Sequence, residues 1–440
     1  MGGNPAGKGV EMLIQFTIEN FRSFREAQTF SMVAASRLKR LKQTNVFSPP
    51  NKDLKVPDLL RCAAIFGANA SGKSNFVKAL RFVEYMVLSS SSADPKGKIN
   101  VQPFRLNSYY ANQDSRFEIE FIEQDIRFQF GFTVNAQRIT SEWLVAYYTS
   151  RPTELYKRSF DVQEGRETFT FGRSLEGGRL RKDWAGQTGP RTLYISRVVQ
   201  ASSDEYKQLK IPFEWFARRL RVEPRDDRLN LESSFSTQYC KSESGKHQVI
   251  EFLNSLDIPV ADVLIEEKNM APEEVLSIFN EDFVDRLSEQ YGLDKGLRIR
   301  EPRFVHEDSE GNLVEFLPSD ESDGTLNLFA FAAKWLEVMK NDFVLVVDEL
   351  DSSLHPLAVW ELIRKLSESN SRAQLIFTTH DVTILRSKLL RRDQVYFVST
   401  NSDRATSLYS LQDFKGREED AFEDRYLQGR YGATPVISRL

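Results

Sequence analysis

The stretch Gly67-Ala68-Asn69-Ala70-Ser71-Gly72-Lys73-Ser74 constrains this chain more than any other. It satisfies the spacing G-x-x-x-x-G-K-[ST] at every fixed position. The apolar run Cys62-Ala63-Ala64-Ile65-Phe66 leads in as a short buried strand, and Asn75 to Phe82 leads out with helical spacing. Glycines let backbone N–H groups face a polyphosphate, and the helix N-terminus adds a favourable dipole. The pattern therefore implies a nucleoside triphosphate cradled by Gly67, Asn69, Ala70, Ser71, Gly72, Lys73, Ser74 and Asn75. Lys73 is expected on the β- and γ-phosphates, and the Ser74 hydroxyl on Mg²⁺.

Three later segments fit the same chemistry. Phe343-Val344-Leu345-Val346-Val347 reads as a fully buried strand that ends in Asp348-Glu349. Acids at that end stand where open α/β sheets bind ligands. Asp348 is expected in the Mg²⁺ shell, and Glu349 as the catalytic carboxylate that polarises the attacking water. Gln374 to Thr379 is a second apolar strand, ending at His380-Asp381, which points to His380 at the γ-phosphate. Glu321-Ser322-Asp323-Gly324-Thr325 precedes a helical run, Leu326 to Leu336, so backbone donors again face outward at a helix N-terminus. Alone, that last pattern is also an ordinary helix cap.

Residues 1–11 are polar and Gly-rich, an expected flexible extension without the apolar core of a signal peptide. Alternation predicts strands at Leu13–Phe21 and Gln28–Val33, then a hairpin of 117–122 with 127–134 about Glu123-Gln124-Asp125. Further strands are expected at Ile139–Tyr148 and Thr168–Phe171, which makes residues 12–182 a β-rich lobe around the site. Ser89 to Gly97 reads as a disordered Ser-rich loop. Residues 183–305 change character, with helical spacing at 203–220, 245–256 and 271–291 and no sustained heptads. Residues 306–440 return to the site. The expected fold class is α/β.

Several function classes are disfavoured. A net charge of −4 gives no global field toward nucleic acid or membrane. Arg218, Arg219, Arg221, Arg225 and Arg228 cluster near four acids, readable as an internally paired face or as a nucleic-acid or protein contact. Two cysteines, Cys62 and Cys240, make neither a disulfide framework nor a Cys-rich zinc site. No run approaches a membrane span of about 18 apolar residues, so a cytoplasmic location is expected. A GTP-reading Asn-Lys-x-Asp motif is missing, since Asn51-Lys52-Asp53-Leu54 lies ahead of the phosphate loop; ATP is the expected nucleotide.

The order of these motifs resembles the ABC-class ATPase heads, and within them the SMC/RecF/OLD-like branch, whose chains open with a segment like Asn20-Phe21-Arg22-Ser23-Phe24. Glu321 to Thr325, Asp348 to Pro356 and Gly429 to Pro435 look closest to the RloA-type AAA ATPases, several tied to phage defence and encoded beside a nuclease. The resemblance implies that Ser322 and Gly324 act as the ABC signature and complete the ATP site of a second subunit. Two such sites would form a head-to-head homodimer or a higher oligomer, with a nuclease or toxin as effector partner. It also implies a lid glutamine at the metal, for which Gln102 is the candidate. His355 stands where many ABC proteins carry Asp. The alternative is a RecF- or SMC-like DNA-maintenance ATPase. A self-contained OLD-type nuclease is disfavoured, because the residues after His380 contain no Asp-x-Asp cluster.

Overall fold

The computed structural model describes residues 11–93, 97–201, 206–224, 235–270, 297–352, 354–416 and 422–434. The chain divides into two compact units, one of residues 1–225, 341–351 and 359–440, the other of residues 226–340 and 352–358. Compactness thus divides after 225 and not at the expected 182/183, and residues 306–340 fall with the second unit.

The first unit holds two sheets. The N-terminal strands are β1 (Met12–Glu19), β2 (Gln28–Ser31), the short pair β3 (Val46–Phe47) and β4 (Leu59–Leu60), and β5 (Cys62–Gly67). Next come β6 (Ser115–Glu123), β7 (Ile126–Val134), β8 (Ile139–Tyr147), β9 (Thr153–Asp161) and β10 (Arg166–Phe171). The seven-stranded antiparallel sheet runs β10-β9-β8-β7-β6-β1-β2. The expected hairpin is β6–β7, and Gln124 and Asp125 both take positive φ (51° and 57°), as a tight two-residue turn needs. A bulge between Leu13 and Gln15 switches the face of β1, so Phe16 and Ile18 join the main core while Met12 and Ile14 join a smaller cluster with Leu59 and Ile122.

Helix α1 (Lys73–Ser89) buries Phe76, Val77, Leu80, Val83 and Val87 at helical spacing. Phe76 meets Phe16 and Phe30, and Phe82 meets Phe21 and Phe117, which joins the helix to the antiparallel sheet. The same core takes in Ile65, Val346, Ile376 and Val398 from the second sheet.

That second sheet, in the order β11-β15-β16-β5-β17-β18, is assembled from distant segments: β11 (Leu220–Glu223), β15 (Val344–Val347), β16 (Gln374–Thr379), β17 (Val395–Thr400) and β18 (Thr406–Ser410). Its first five strands are parallel, and β18 is antiparallel. The second unit contains the expected helices α2 (Glu243–Asn254) and α3 (Asp323–Asn341). It adds an unexpected antiparallel sheet of β12 (Asp262–Met270), β13 (Leu297–Glu307) and β14 (Leu313–Phe316). The helical reading of 271–291 lies outside the described residues.

Two expectations need correction. Glu11 is not part of a loose extension: it is buried and pairs with Arg219 at 2.8 Å. Nor is Ser89–Ser92 disordered. Ser90 is buried, accepts the Leu193 N–H at 3.1 Å and bonds Ser196 at 3.2 Å, so the small side chains pack the end of α1. Residues 94–96 lie outside the described set.

Candidate functional site

The site is built at the C-terminal ends of three adjacent parallel strands, β15, β16 and β5. Residue by residue, β5 pairs with β16 as Ile65↔Thr378 and Phe66↔Thr379. On the other side of β16, Val347 stands opposite Phe377. This register brings the phosphate loop, the Asp348-Glu349 pair and His380 to one sheet edge, as the sequence leads one to expect.

The loop is braced from outside its own segment. The hydroxyl of Thr406 at the start of β18 donates to the Ser71 carbonyl at 2.9 Å and is hydrogen-bonded to Ser23 Oγ at 2.7 Å. Asn75 Nδ2 donates to the same Ser23 Oγ at 2.8 Å. Gly72 has φ +113°, and a Cβ there would lie 2.4 Å from Thr406 Oγ1, so glycine is required both by conformation and by space. At Gly67 a Cβ would stand 2.4 Å from the Val398 carbonyl of β17.

The Asn20–Phe24 segment explains Ser23's reach. Asn20 is buried with its amide donating to the carbonyls of Tyr110, Gln113 and Asp114 and its oxygen accepting the Phe104 N–H. Phe21 and Phe24 anchor the turn in the core. The Arg22 N–H donates to the Gln102 carbonyl at 2.7 Å, which ties Gln102 to the turn that contacts Asn75.

Lys73 is 5 % exposed, and its ammonium donates to the carbonyls of Gly67 (2.8 Å) and Ala68 (3.1 Å). Burial pulls its pKa down to about 8, and the carboxylates of Glu349, Asp348 and Asp351 oppose that shift. Ser71 Oγ is buried without a hydrogen-bond partner. Asn69 and Ala70 are exposed at the loop tip, and Ser74 and Asn75 are half-buried at the start of α1.

Asp348 is 2 % exposed and accepts from Thr378 Oγ1 at 2.6 Å. The same hydroxyl accepts the Glu349 N–H at 2.7 Å. Glu349 carries φ +51°, a left-handed backbone that costs a glutamate energy and aims it from the strand end. Its Oε1 lies 3.8 Å from His380 Nε2, too long for a hydrogen bond. His380 is held by its backbone N–H donating to Asp351 Oδ2 at 3.1 Å. Burial, then the nearby Lys73 charge, lower its pKa, against the pull of Asp351, Glu349 and Asp348. Thr378, Ser23, Thr406 and Asp351 have parts here that the motif reading did not assign.

Ser322 and Gly324 belong to the second unit. Ser322 is exposed at the N-terminus of α3, where its Oγ accepts the Thr325 N–H at 3.1 Å. Of the described arginines in the cluster, Arg218 pairs with Glu214, Arg219 with Glu11, and Arg221 lies over the Phe343 ring at 4.8 Å. Arg225 and Arg228 lie outside the described residues.

The fold and the site define an α/β protein with a phosphate-loop motif at the edge of a parallel sheet. A family described as "AAA domain, putative AbiEii toxin, Type IV TA system" matches residues 62–386, well over half of the chain, and the chain belongs to that family. Among curated proteins it is similar to the Septu protein PtuA of Bacillus mycoides (strain KBAB4), 23% identical over 283 residues. That match takes in 61% of this chain but 36% of PtuA, so the chain spans only about a third of that relative's length. Among solved structures it is similar to an SmcHead bound to the C-winged helix domain of ScpA (16% identical, 90% of this chain and 97% of that one, TM-score 0.39). It is also similar to RecF–ATP of the RecFOR pathway (15% identical, 92% and 100%, TM-score 0.36).

Proposed function

We propose that this chain is an Mg²⁺-dependent ATPase whose ATP-bound form pairs head-to-head with a second copy and switches an effector, a nuclease or toxin, in defence against phage. The observation that carries the ATPase reading is the gathering of Lys73, Asp348, Glu349 and His380 at one edge of the parallel sheet. The residues fit the ligand. A buried hydroxyl without a partner (Ser71) and a buried lysine whose charge is disfavoured are groups that a polyphosphate would satisfy. Ser74 and Asp348 offer the hard oxygen donors that Mg²⁺ takes, with Gln102 as a third candidate. When bound, the ion would supply positive charge to the β- and γ-phosphates.

The protein's own part is positioning and proton transfer. Lys73 holds the phosphates. Glu349 takes a proton from the attacking water, and His380, neutral because of its burial, donates a hydrogen bond toward the γ-phosphate. The exposed Ser322 at a helix N-terminus supports a role for that turn on a second subunit's nucleotide. The family's description as a toxin–antitoxin component and the similarity to a Septu protein support the effector and defence reading.

The test is a pull-down from the native host with the unsubstituted protein and with Glu349→Gln. The Glu349 variant is expected to retain ATP, to hydrolyse it at least about 100-fold more slowly, and to recover a nuclease or toxin in a nucleotide-dependent way. Unchanged hydrolysis would sink the assignment of Glu349. Recovery of DNA and repair factors alone would favour the DNA-maintenance alternative.

A further inference from the structure

We infer that His306 is a positioning residue for the Ser322 turn, acting through Glu321; this rests on the reading above that the turn completes a second copy's ATP site. His306 lies on β13, where the next-but-one residue, Phe304, is fully buried and packs on Phe329 of α3 at 5.1 Å. Its ring stands edge-on to Phe316 of β14 at 4.9 Å. Both ring nitrogens are engaged: Nδ1 is 2.9 Å from the Pro259 carbonyl and Nε2 is 2.5 Å from Glu321 Oε1. A carbonyl only accepts, so the Nδ1 proton points at Pro259. The short contact to Glu321 then requires a second proton on the line between Nε2 and Oε1.

Glu321 is the residue before Ser322, and its side chain is 8 % exposed although the turn itself is open to solvent. A buried carboxylate on an exposed turn needs a partner, and His306 is the one that the strand supplies. The turn is therefore fixed at two points. Ser322 caps α3 through the Thr325 N–H, and Glu321 ties the preceding backbone to the sheet. Where Ser322 presents its hydroxyl is set by His306, which itself would touch no nucleotide.

The experiment measures steady-state ATP hydrolysis against protein concentration, which reads pairing, and ATP titration of dilute protein, which reads the chain's own phosphate loop. His306→Phe and Glu321→Ala are expected to raise the concentration for half-maximal turnover about tenfold, the scale of one charge-assisted hydrogen bond. ATP affinity of the dilute protein stays unchanged, because the phosphate loop belongs to the first unit. Glu321→Gln is expected to rescue, since its amide can donate to Nε2 while Nδ1–H stays on Pro259. A merely structural role would lower the denaturation midpoint and shift pairing only near it, whereas a positioning role shifts pairing at temperatures where the variants are fully folded.

If His306→Phe fails to fold, the Ala and Gln variants of Glu321 decide the matter. Native-like pairing in Glu321→Ala, or a Gln variant no better than Ala, overturns the inference while leaving the ATP-site reading intact. Ser322→Arg tells the two apart: concentration-dependent turnover that survives it refutes the pairing reading, and the positioning role with it.

Discussion

Replacing Thr378 with valine isolates one hydroxyl at the centre of the site. Thr378 is fully buried, donates to Asp348 at 2.6 Å and accepts the Glu349 N–H at 2.7 Å. Valine keeps the shape, so no cavity forms, and the loss is the two hydrogen bonds. The bond to the carboxylate contributes about 1.5–3 kcal/mol and the backbone one about 0.5–1.5, so the expected destabilisation is about 2–4.5 kcal/mol. Turnover should fall further than stability implies. The left-handed backbone of Glu349 (φ +51°) is pinned by that N–H bond, and once released it relaxes toward an ordinary conformation. A misplacement of about 1 Å in a catalytic group costs about 100-fold. ATP affinity should hold, because the carbonyls of Gly67 and Ser71 and the Lys73 ammonium keep their partners. Denaturant unfolding, phosphate release and nucleotide titration read the three effects, and Thr378→Ser should restore all of them. A valine variant with native turnover, or a serine variant no better than valine, would refute the reasoning.

The remaining predictions concern charge and burial. Lys73→Ala should lose ATP binding, and retained affinity would sink the loop assignment. Burial, outweighing the neighbouring acids, pulls the Lys73 pKa down to about 8; a polyphosphate raises that value, so binding above about pH 8 should take up a proton and weaken as pH rises. Calorimetry in two buffers of different ionisation enthalpy reads that proton, and none taken up would show that Lys73 does not meet the phosphates. Arg158 is fully buried, with Glu167 at 2.8 Å, Glu142 at 3.7 Å and the carbonyls of Thr192 and Gly189 as acceptors. Arg158→Met should cost about 3–5 kcal/mol, since it strands a buried carboxylate; a loss under about 1 kcal/mol on denaturation would contradict that account.

What the sequence disclosed and what it hid separate along a physical line. Phosphate chemistry compresses into short strings, because a loop, a strand end and a helix start each supply several contacts from neighbouring residues. Gly67–Ser74, Asp348-Glu349 and His380 were legible for that reason, and the structure brings them to one edge. The strands β9, β12 and β13 were not, because each carries charge in a pattern that alternation does not flag. Arg158 is satisfied in the interior by carboxylates and carbonyls of other segments, and Glu266 and Glu267 by Arg303 and Arg300 across the ladder. β17 and β18 stay hidden in the sequence for a different reason: nothing local says that Val398 lies alongside Gly67. The same distance hides the hydroxyls that shape the site. Thr406 braces Ser71 from 335 residues away, and an isolated Ser-Leu-Tyr-Ser strand offers no hint of it. Ser23 was nearly within reach, since the Asn20–Phe24 string stood out, but its signal was a family likeness with no chemistry attached. The structure attaches it: the asparagine fixes the turn, the two phenylalanines seat it, and the serine between them holds Asn75 beside the phosphate loop. Ser23 and Thr406 thus hold the loop and Asn75 from segments that no local reading of the loop itself would include.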